Sequence, residues 1–304
     1  MGGVTHRVLV TGATGFVGRH VVPALAALGF EVHGVGRSPR DGARFHAADL
    51  LVPEARRALV AHVRPSHLLH LAWDAEPGRY WTSAANLDWV AASLDLARLF
   101  AAQGGRRFVG IGTCAEYAWG AARLDEAATP CRPATLYGAA KDGTHRILAA
   151  YAGTQGLGLA WGRLFYLYGP GERRGRLVPD AIRALTAGTP FPTSDGYQRR
   201  DYLHVADAAG ALATLLASDV TGPVNIGSGT AIPVRTLLDG LAARIGGADR
   251  LIYGARPLGP GEPPVIEAET RILNDAVGFR PAYGWAEGLD DTVAWWRRQD
   301  APPR

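Results

Sequence analysis

The sequence predicts an α/β protein, a doubly wound parallel sheet with a smaller, discontinuous C-terminal lobe. Short β-branched runs alternate with longer Ala- and Leu-rich stretches through the first half. A glycine-rich segment joins the first run to the first stretch, and the alternation loosens after about residue 165.

In chain order, Arg7 to Val10, Glu31 to Val35, Ser66 to Leu71 and Arg107 to Ile111 are short apolar runs that read as buried strands. Phe16 to Leu28, Pro53 to Val63 and Trp81 to Gln103 read as the helices between them. Strands separated by helices need crossover connections, which make neighbouring strands parallel. Pro23 falls inside the first helix, where it removes a hydrogen bond or forces a kink. Later, Gly, Pro and Arg crowd Tyr168 to Arg176, Gly188 to Arg200 and Gly254 to Pro264. Helical stretches such as Val178 to Ala187 and Val234 to Ile245 lie between them, and a last helix around Leu289 to Arg297 carries Trp295 and Trp296.

With 304 residues, 47% of them hydrophobic and 20% charged, the chain can bury a large core. It has no run of 18 apolar residues and enters a strand within ten residues, so neither a membrane span nor a signal peptide is expected. Cys114 and Cys131 cannot build a disulfide framework, and a cytoplasmic location is expected. A net charge of +4 with scattered arginines argues against a nucleic-acid partner. The nine histidines show no H-x-x-x-H or H-x-H spacing, so no metal is expected.

Gly12, Gly15 and Gly18 follow the first strand and lead into a helix with G-x-x-G-x-x-G spacing. Such a turn lets backbone approach a pyrophosphate, whose charge sits at the helix N-terminus. At the end of the second strand an NAD enzyme usually holds Asp or Glu against the ribose. Here the chain reads Val35-Gly36-Arg37-Ser38, and Arg37 and Ser38 suit a 2′-phosphate instead, with a solvated arginine in a loop as the other reading of Arg37. NADP(H) is therefore favoured, with NAD(H) as the alternative. Asp49-Leu50 fits an adenine-edge contact, and an ordinary turn acid explains Asp49 as well.

The single lysine among 32 basic residues, Lys141, lies four residues after Tyr137. On a helix that spacing puts both side chains on one face. A tyrosine titrates near ~10, and a neighbouring ammonium is expected to lower that value toward use as an acid or base. Thr113 follows the fourth strand, where its hydroxyl can meet a reacting oxygen or cap the turn.

The turn Thr11-Gly-Ala-Thr-Gly-Phe-Val-Gly18, His70-Leu-Ala-Trp73, Thr113, Tyr137 with Lys141, Arg200-Asp-Tyr-Leu-His-Val-Ala-Asp207 and Val224-Asn-Ile-Gly-Ser-Gly229 occur in this order. In this the chain resembles the extended short-chain dehydrogenases of the NAD-dependent epimerase/dehydratase family, over nearly its whole length. The resemblance implies a Rossmann-like domain over residues 1–165, with segments at about 200–230 returning to it. Residues 166–304 would form mainly a substrate-binding lobe. It implies Tyr137 as general acid/base, Lys141 as ribose ligand and Thr113 as orienting hydroxyl. Thr14, Phe16, Val17, Leu71 and Ala72 would join the glycines around the cofactor. A nucleotide-diphosphate sugar would lie against Trp73, Cys114, Tyr166, Leu177 and Val178, with Arg200 on its diphosphate. Arg256 would substitute for a family arginine whose place is taken by Gly259, and Tyr166 stands where the family has Asn. Asn86 resembles a family asparagine, although a helix-surface role fits equally. A homodimer is expected, since the family often pairs through a helical bundle.

Family dehydratases carry an acidic pair after the catalytic threonine. Cys114 and Ala115 occupy those positions, which disfavours dehydration. Glu116, one further on, is expected to point elsewhere. An epimerase keeps its NAD, whereas a reductase takes up NADPH, so Arg37 and Ser38 favour reduction of a 4-keto sugar over 4-epimerisation. The style of residues 113–117 and 198–203 also looks like deoxysugar-pathway 4-ketoreductases.

Overall fold

The computed structural model describes residues 6–38, 44–259 and 261–299. The first half runs β1 (Arg7–Thr11), α1 (Gly18–Ala27), β2 (Glu31–Gly36), β3 (Phe45–Ala47), α2 (Pro53–Val63), β4 (His67–His70), α3 (Ala85–Ala102) and β5 (Arg107–Thr113). It continues with α4 (Leu136–Gln155), β6 (Gly158–Leu164), β7 (Tyr166–Tyr168), α5 (Leu177–Ala187), β8 (Phe191–Pro192), β9 (Arg199–His204) and α6 (Val205–Ala217). The rest is β10 (Gly222–Ile226), β11 (Ala231–Pro233), α7 (Val234–Ile245), β12 (Leu251–Ile252), β13 (Val265–Ile266) and α8 (Trp285–Gln299).

Seven strands pair in parallel in the order β10-β6-β5-β4-β1-β2-β3. The apolar strands are buried on both faces because helices cover both. One core packs β1, β5 and β10 against α1 and α6, and a second packs the opposite face against α2, α3 and α4. After β3 the chain returns past β1 to place β4 on its other side. That reversal opens a crevice beyond the C-terminal ends of β1 and β4, the usual ligand position in such sheets. A separate core joins α5, α7 and α8. Strand β9 there pairs with β7, β11 and β13, while β10 goes back to the main sheet beside β6. No described helix is long and apolar enough to cross a membrane.

Several boundaries differ from the sequence expectation. Helix α1 begins at Gly18 rather than Phe16, because residues 12–17 form the glycine turn. Pro23 remains inside it on the exposed face, where water can meet the carbonyl that it leaves free. Helix α3 starts at Ala85, since Gly78 has φ +79° and residues 77–82 turn instead. Strand β5 extends to Thr113, and α8 starts at Trp285, one turn earlier than expected.

Candidate active site

The crevice widens into a cleft of about 720 Å³ that runs from the glycine turn to β9 and the 256–262 loop. Gly12, Gly15, Phe16, Val17 and Gly18 line one end, beside Leu71, Ala72 and Trp73 after β4. A Cβ on Gly18 would collide with the Gly12 carbonyl and the Ala13 backbone, so only glycine lets α1 start so close to the turn. Thr11 Oγ1 accepts from the Ala72 amide at 3.1 Å and meets His70 Nδ1 at 2.8 Å. Ser93 donates to Trp89 O and lies 2.8 Å from His70 Nε2, which gives His70 the Nε2–H tautomer. Burial, and then the Lys141 charge, lower the His70 pKa to about 3, so this chain is a neutral brace for the crevice. These features fit a dinucleotide: a turn without side chains at a helix N-terminus, open to the cleft.

At the centre, Thr113 closes β5 and Tyr137 opens α4, both facing the cleft. Thr135 caps α4 by accepting from the Gly138 amide at 3.1 Å, which sets the Tyr137 backbone. Thr113 Oγ1 accepts from the Ala115 amide at 3.2 Å and lines the cleft with Tyr137. Burial raises the Tyr137 pKa above its ordinary value, Tyr80, Glu116 and Cys114 add to this, and the Thr113 side chain opposes it. The lowering expected from Lys141 is thus not found in the protein alone: the shift is upward, and the groups that drive it are burial, Tyr80, Glu116 and Cys114. Lys141 lies under the cleft floor, donating to Ile111 O at 2.8 Å with its ammonium 3.8 Å from the Trp73 ring centre. Burial lowers its pKa to about 7, against the pull of Glu116.

Cys114 and Ala115 line the cleft beside Tyr137. Burial pushes the Cys114 thiol up to about 12, so it is no acid for neutral solution. Glu116 points away, as its position suggested. It takes a 2.7 Å ion pair from Arg163, 3.0 Å from Trp161 Nε1 and 2.9 Å from the Thr113 amide. Among the described residues, Glu116, Asp142 and His145 bring potential metal-ligand atoms within 4.8 Å of one another. Glu116 is saturated by those partners, and Asp142 pairs with Arg146 at 2.8 Å.

The other end of the cleft gathers Tyr166, Leu177, Val178, Arg200 and Arg256. Arg200 is buried, pairs with Glu262 and faces the Tyr166 ring at 5.7 Å. Its neighbour Asp201 has the structural part: it accepts from the Ser228, Gly229 and Ala268 amides at 2.7, 2.9 and 3.1 Å.

Thr14, Arg37, Ser38, Asp49 and Leu50 do not line the cleft. Thr14 packs beside Gly36, and Arg37 and Ser38 are exposed just past β2. Asp49 Oδ1 accepts from the Leu51 amide at 2.9 Å, the turn-acid role, and Leu50 is buried with its carbonyl on Arg56. Asn86 is buried instead of lying on the helix surface, accepting from Trp73 Nε1 at 2.9 Å and donating to Tyr80 O at 2.7 Å. The sequence reading passed over Tyr80 and Trp81, whose rings lie 4.8 and 5.7 Å from Tyr137. Trp81 opens the helix expected over 81–103 and Tyr80 stands just before it; their adjacency after Gly78 was the available signal. Glu172, also in the cleft, had no sequence signal.

Residues 8–227 match the NAD dependent epimerase/dehydratase family. The chain is 28% identical over 318 residues to a dTDP-glucose 4,6-dehydratase of Streptomyces niveus, covering 96% of this chain and 93% of that protein. It is 26% identical over 240 residues to a dTDP-6-deoxy-L-talose 4-dehydrogenase (NAD(+)) of Aggregatibacter actinomycetemcomitans, covering 76% of this chain and 88% of the relative. The UDP-glucose 4-epimerase of Thermus thermophilus, solved in complex with NAD, superposes with a TM-score of 0.86 at 28% identity, covering 96% of this chain and 99% of that one. With its glycine turn and a family match over most of its length, the chain is an enzyme that belongs to the NAD-dependent epimerase/dehydratase family, of the extended short-chain dehydrogenase type.

Proposed function

We propose that the enzyme reduces a 4-keto nucleotide-diphosphate (deoxy)sugar with NADPH. The observation that carries the choice of reduction is the end of β2, where exposed Arg37 and Ser38 stand in place of a ribose-binding carboxylate. Against dehydration, the wall beside Tyr137 is Cys114 and Ala115, and Glu116 is held by Arg163. The relatives include a sugar 4-dehydrogenase, whose chemistry is the reverse of the proposed step.

When bound, the reduced nicotinamide supplies the hydride. The ketone becomes an alcohol when that hydride adds to C4 and one proton reaches its oxygen. Tyr137 delivers the proton as the charge develops, since its raised pKa keeps the phenol protonated in neutral solution. Thr113, which lines the cleft with that phenol, orients the carbonyl oxygen. Lys141, four residues further along α4, is the cation assigned to favour the phenolate left behind, which regains a proton from solvent. Arg200 and Arg256 hold the diphosphate, and Trp73, Leu177 and Val178 close on the nucleotide and sugar. The same reading takes the enzyme as a cytoplasmic homodimer.

The test is to denature the purified protein, identify any released nicotinamide, and titrate NADPH and NADH into the emptied form. Little retained cofactor and tighter binding of NADPH are expected. Stoichiometric, non-exchanging NAD would overturn the reductase reading and favour a 4-epimerase.

A further inference from the structure

Glu172 lies in the loop between β7 and α5 and lines the cleft, yet the mechanism above gives it no task. The loop is fastened to α1. His20 Nε2 donates to Pro170 O at 2.8 Å, and Gly171 packs against the Arg19 side chain. Arg19 Nε in turn donates to Gly15 O at 3.3 Å in the glycine turn. Glu172 is thereby held where the pyrophosphate cradle meets the second lobe. Part of the residue is exposed, but its Oε2 is buried and has no hydrogen-bond partner in the protein. An orphaned buried polar atom costs free energy unless something completes it.

The chemistry of the missing partner follows from the surroundings. Arg176 beside it, Asp180 on α5, Tyr202 on β9 and Arg19 on α1 are the charged or titratable groups around it. Burial raises the Glu172 pKa to about 8, Asp180 adding to this and Arg176 opposing it. At neutral pH the group is mainly a carboxylic acid, and an acid has an O–H to donate. Diphosphate oxygens only accept, and an ionised carboxylate would repel them. Arg176, in the same lining, supplies the positive field an anion needs, whereas Arg173 is paired with Glu76 at 2.7 Å.

We propose that Glu172 binds in its acid form and donates a hydrogen bond to a diphosphate oxygen of a ligand in the cleft. The cofactor and a nucleotide sugar both carry that group; the nucleotide-sugar source rests on the proposed function, whereas the cofactor source rests on the family.

The test is the affinity of the wild type, Glu172→Gln and Glu172→Ala for NADPH and, separately, for UDP, from pH of about 6.5 to about 9.5. Glutamine keeps a donor and does not titrate, so titrations shared by both proteins, that of Lys141 included, cancel in their ratio. For the ligand that Glu172 holds, wild-type affinity should fall about tenfold relative to Glu172→Gln as pH rises through about 8. Glu172→Ala should bind that ligand about tenfold more weakly than wild type at neutral pH. An effect on NADPH alone assigns the contact to the cofactor, and one on UDP alone to the substrate. Parallel pH curves for wild type and Glu172→Gln with both ligands, or full affinity in Glu172→Ala, would overturn the proposal. Failure to reduce any 4-keto sugar would sink the proposed function and leave the NADPH result standing.

Discussion

Lys141 has an unusual burden for a lysine. Its ammonium is enclosed, with one carbonyl and one indole face as the contacts that compensate it. Burial brings its pKa from 10.5 to about 7. Between those values the unfolded chain holds a proton that the folded chain does not, so stability rises with pH across the window. The gain approaches ~1.4 kcal/mol per pH unit inside it. Lys141→Met, which keeps the length and removes the charge, should therefore grow more stable relative to wild type as pH falls from about 10 toward 7. Urea unfolding of both proteins across that range checks this, and pH-independent separation of the two midpoints would mean that Lys141 is not depressed. The sequence already made Lys141 conspicuous by its solitude. The energetic position of the Tyr137–Lys141 pair was not legible, because burial depends on Trp73, Tyr80 and Trp81 arriving from another segment.

At the scale of elements, α4 carries Tyr137 and Lys141, and its approach to β5 decides the geometry around them. Gly138 faces the short 3-10 turn Cys114–Glu116, and a Cβ there would run into the Ala115 carbonyl and Pro133. Both neighbours are backbone or ring and cannot swing aside. Gly138→Ala should lift the start of α4 and move Tyr137 away from Thr113, lowering kcat by roughly 10²-fold. The glycine turn before α1 lies elsewhere, so nicotinamide-cofactor affinity should stay near the wild-type value. Steady-state kinetics alongside a cofactor titration would show this split, and equal losses in both would mean that the helix shift spreads to the cradle. The strands of the parallel sheet were legible because both-face burial leaves continuous apolar runs such as Val8-Leu9-Val10. Helix starts were less so, since Gly78 has φ +79° and residues 12–17 turn before α1, redirecting backbone that propensity alone would have kept helical.

At the scale of the molecule, the site exists only where two cores meet, and few buried polar groups hold that junction. Asn225 on β10 donates to Leu124 O at 2.8 Å and to Glu269 O at 3.1 Å, and accepts from the Tyr117 hydroxyl at 2.7 Å. Asp201 on β9 gathers the 228–229 turn and Ala268, fully enclosed. Burial raises its pKa, and its hydrogen bonds with Ser228, Ala268 and Gly229 pull the other way. Arg200 and Asp201 are adjacent on β9, yet the fold separates them, with Arg200 lining the cleft and Asp201 among the amides. That division of labour was invisible beforehand because adjacent strand residues point to opposite faces only once the strand exists. Asp201→Ala removes the acceptor of three amides and of the Ser228 hydroxyl, the Ala268 amide among them fully buried, and should cost about 3 kcal/mol of stability. Because Arg200 rides on the same strand, KM for the nucleotide sugar should rise as well, with kcat changed far less. Urea unfolding and steady-state kinetics on the one variant would check both halves. A stability loss with unchanged KM would show that Arg200 is held by Glu262 and Tyr166 without help from the junction.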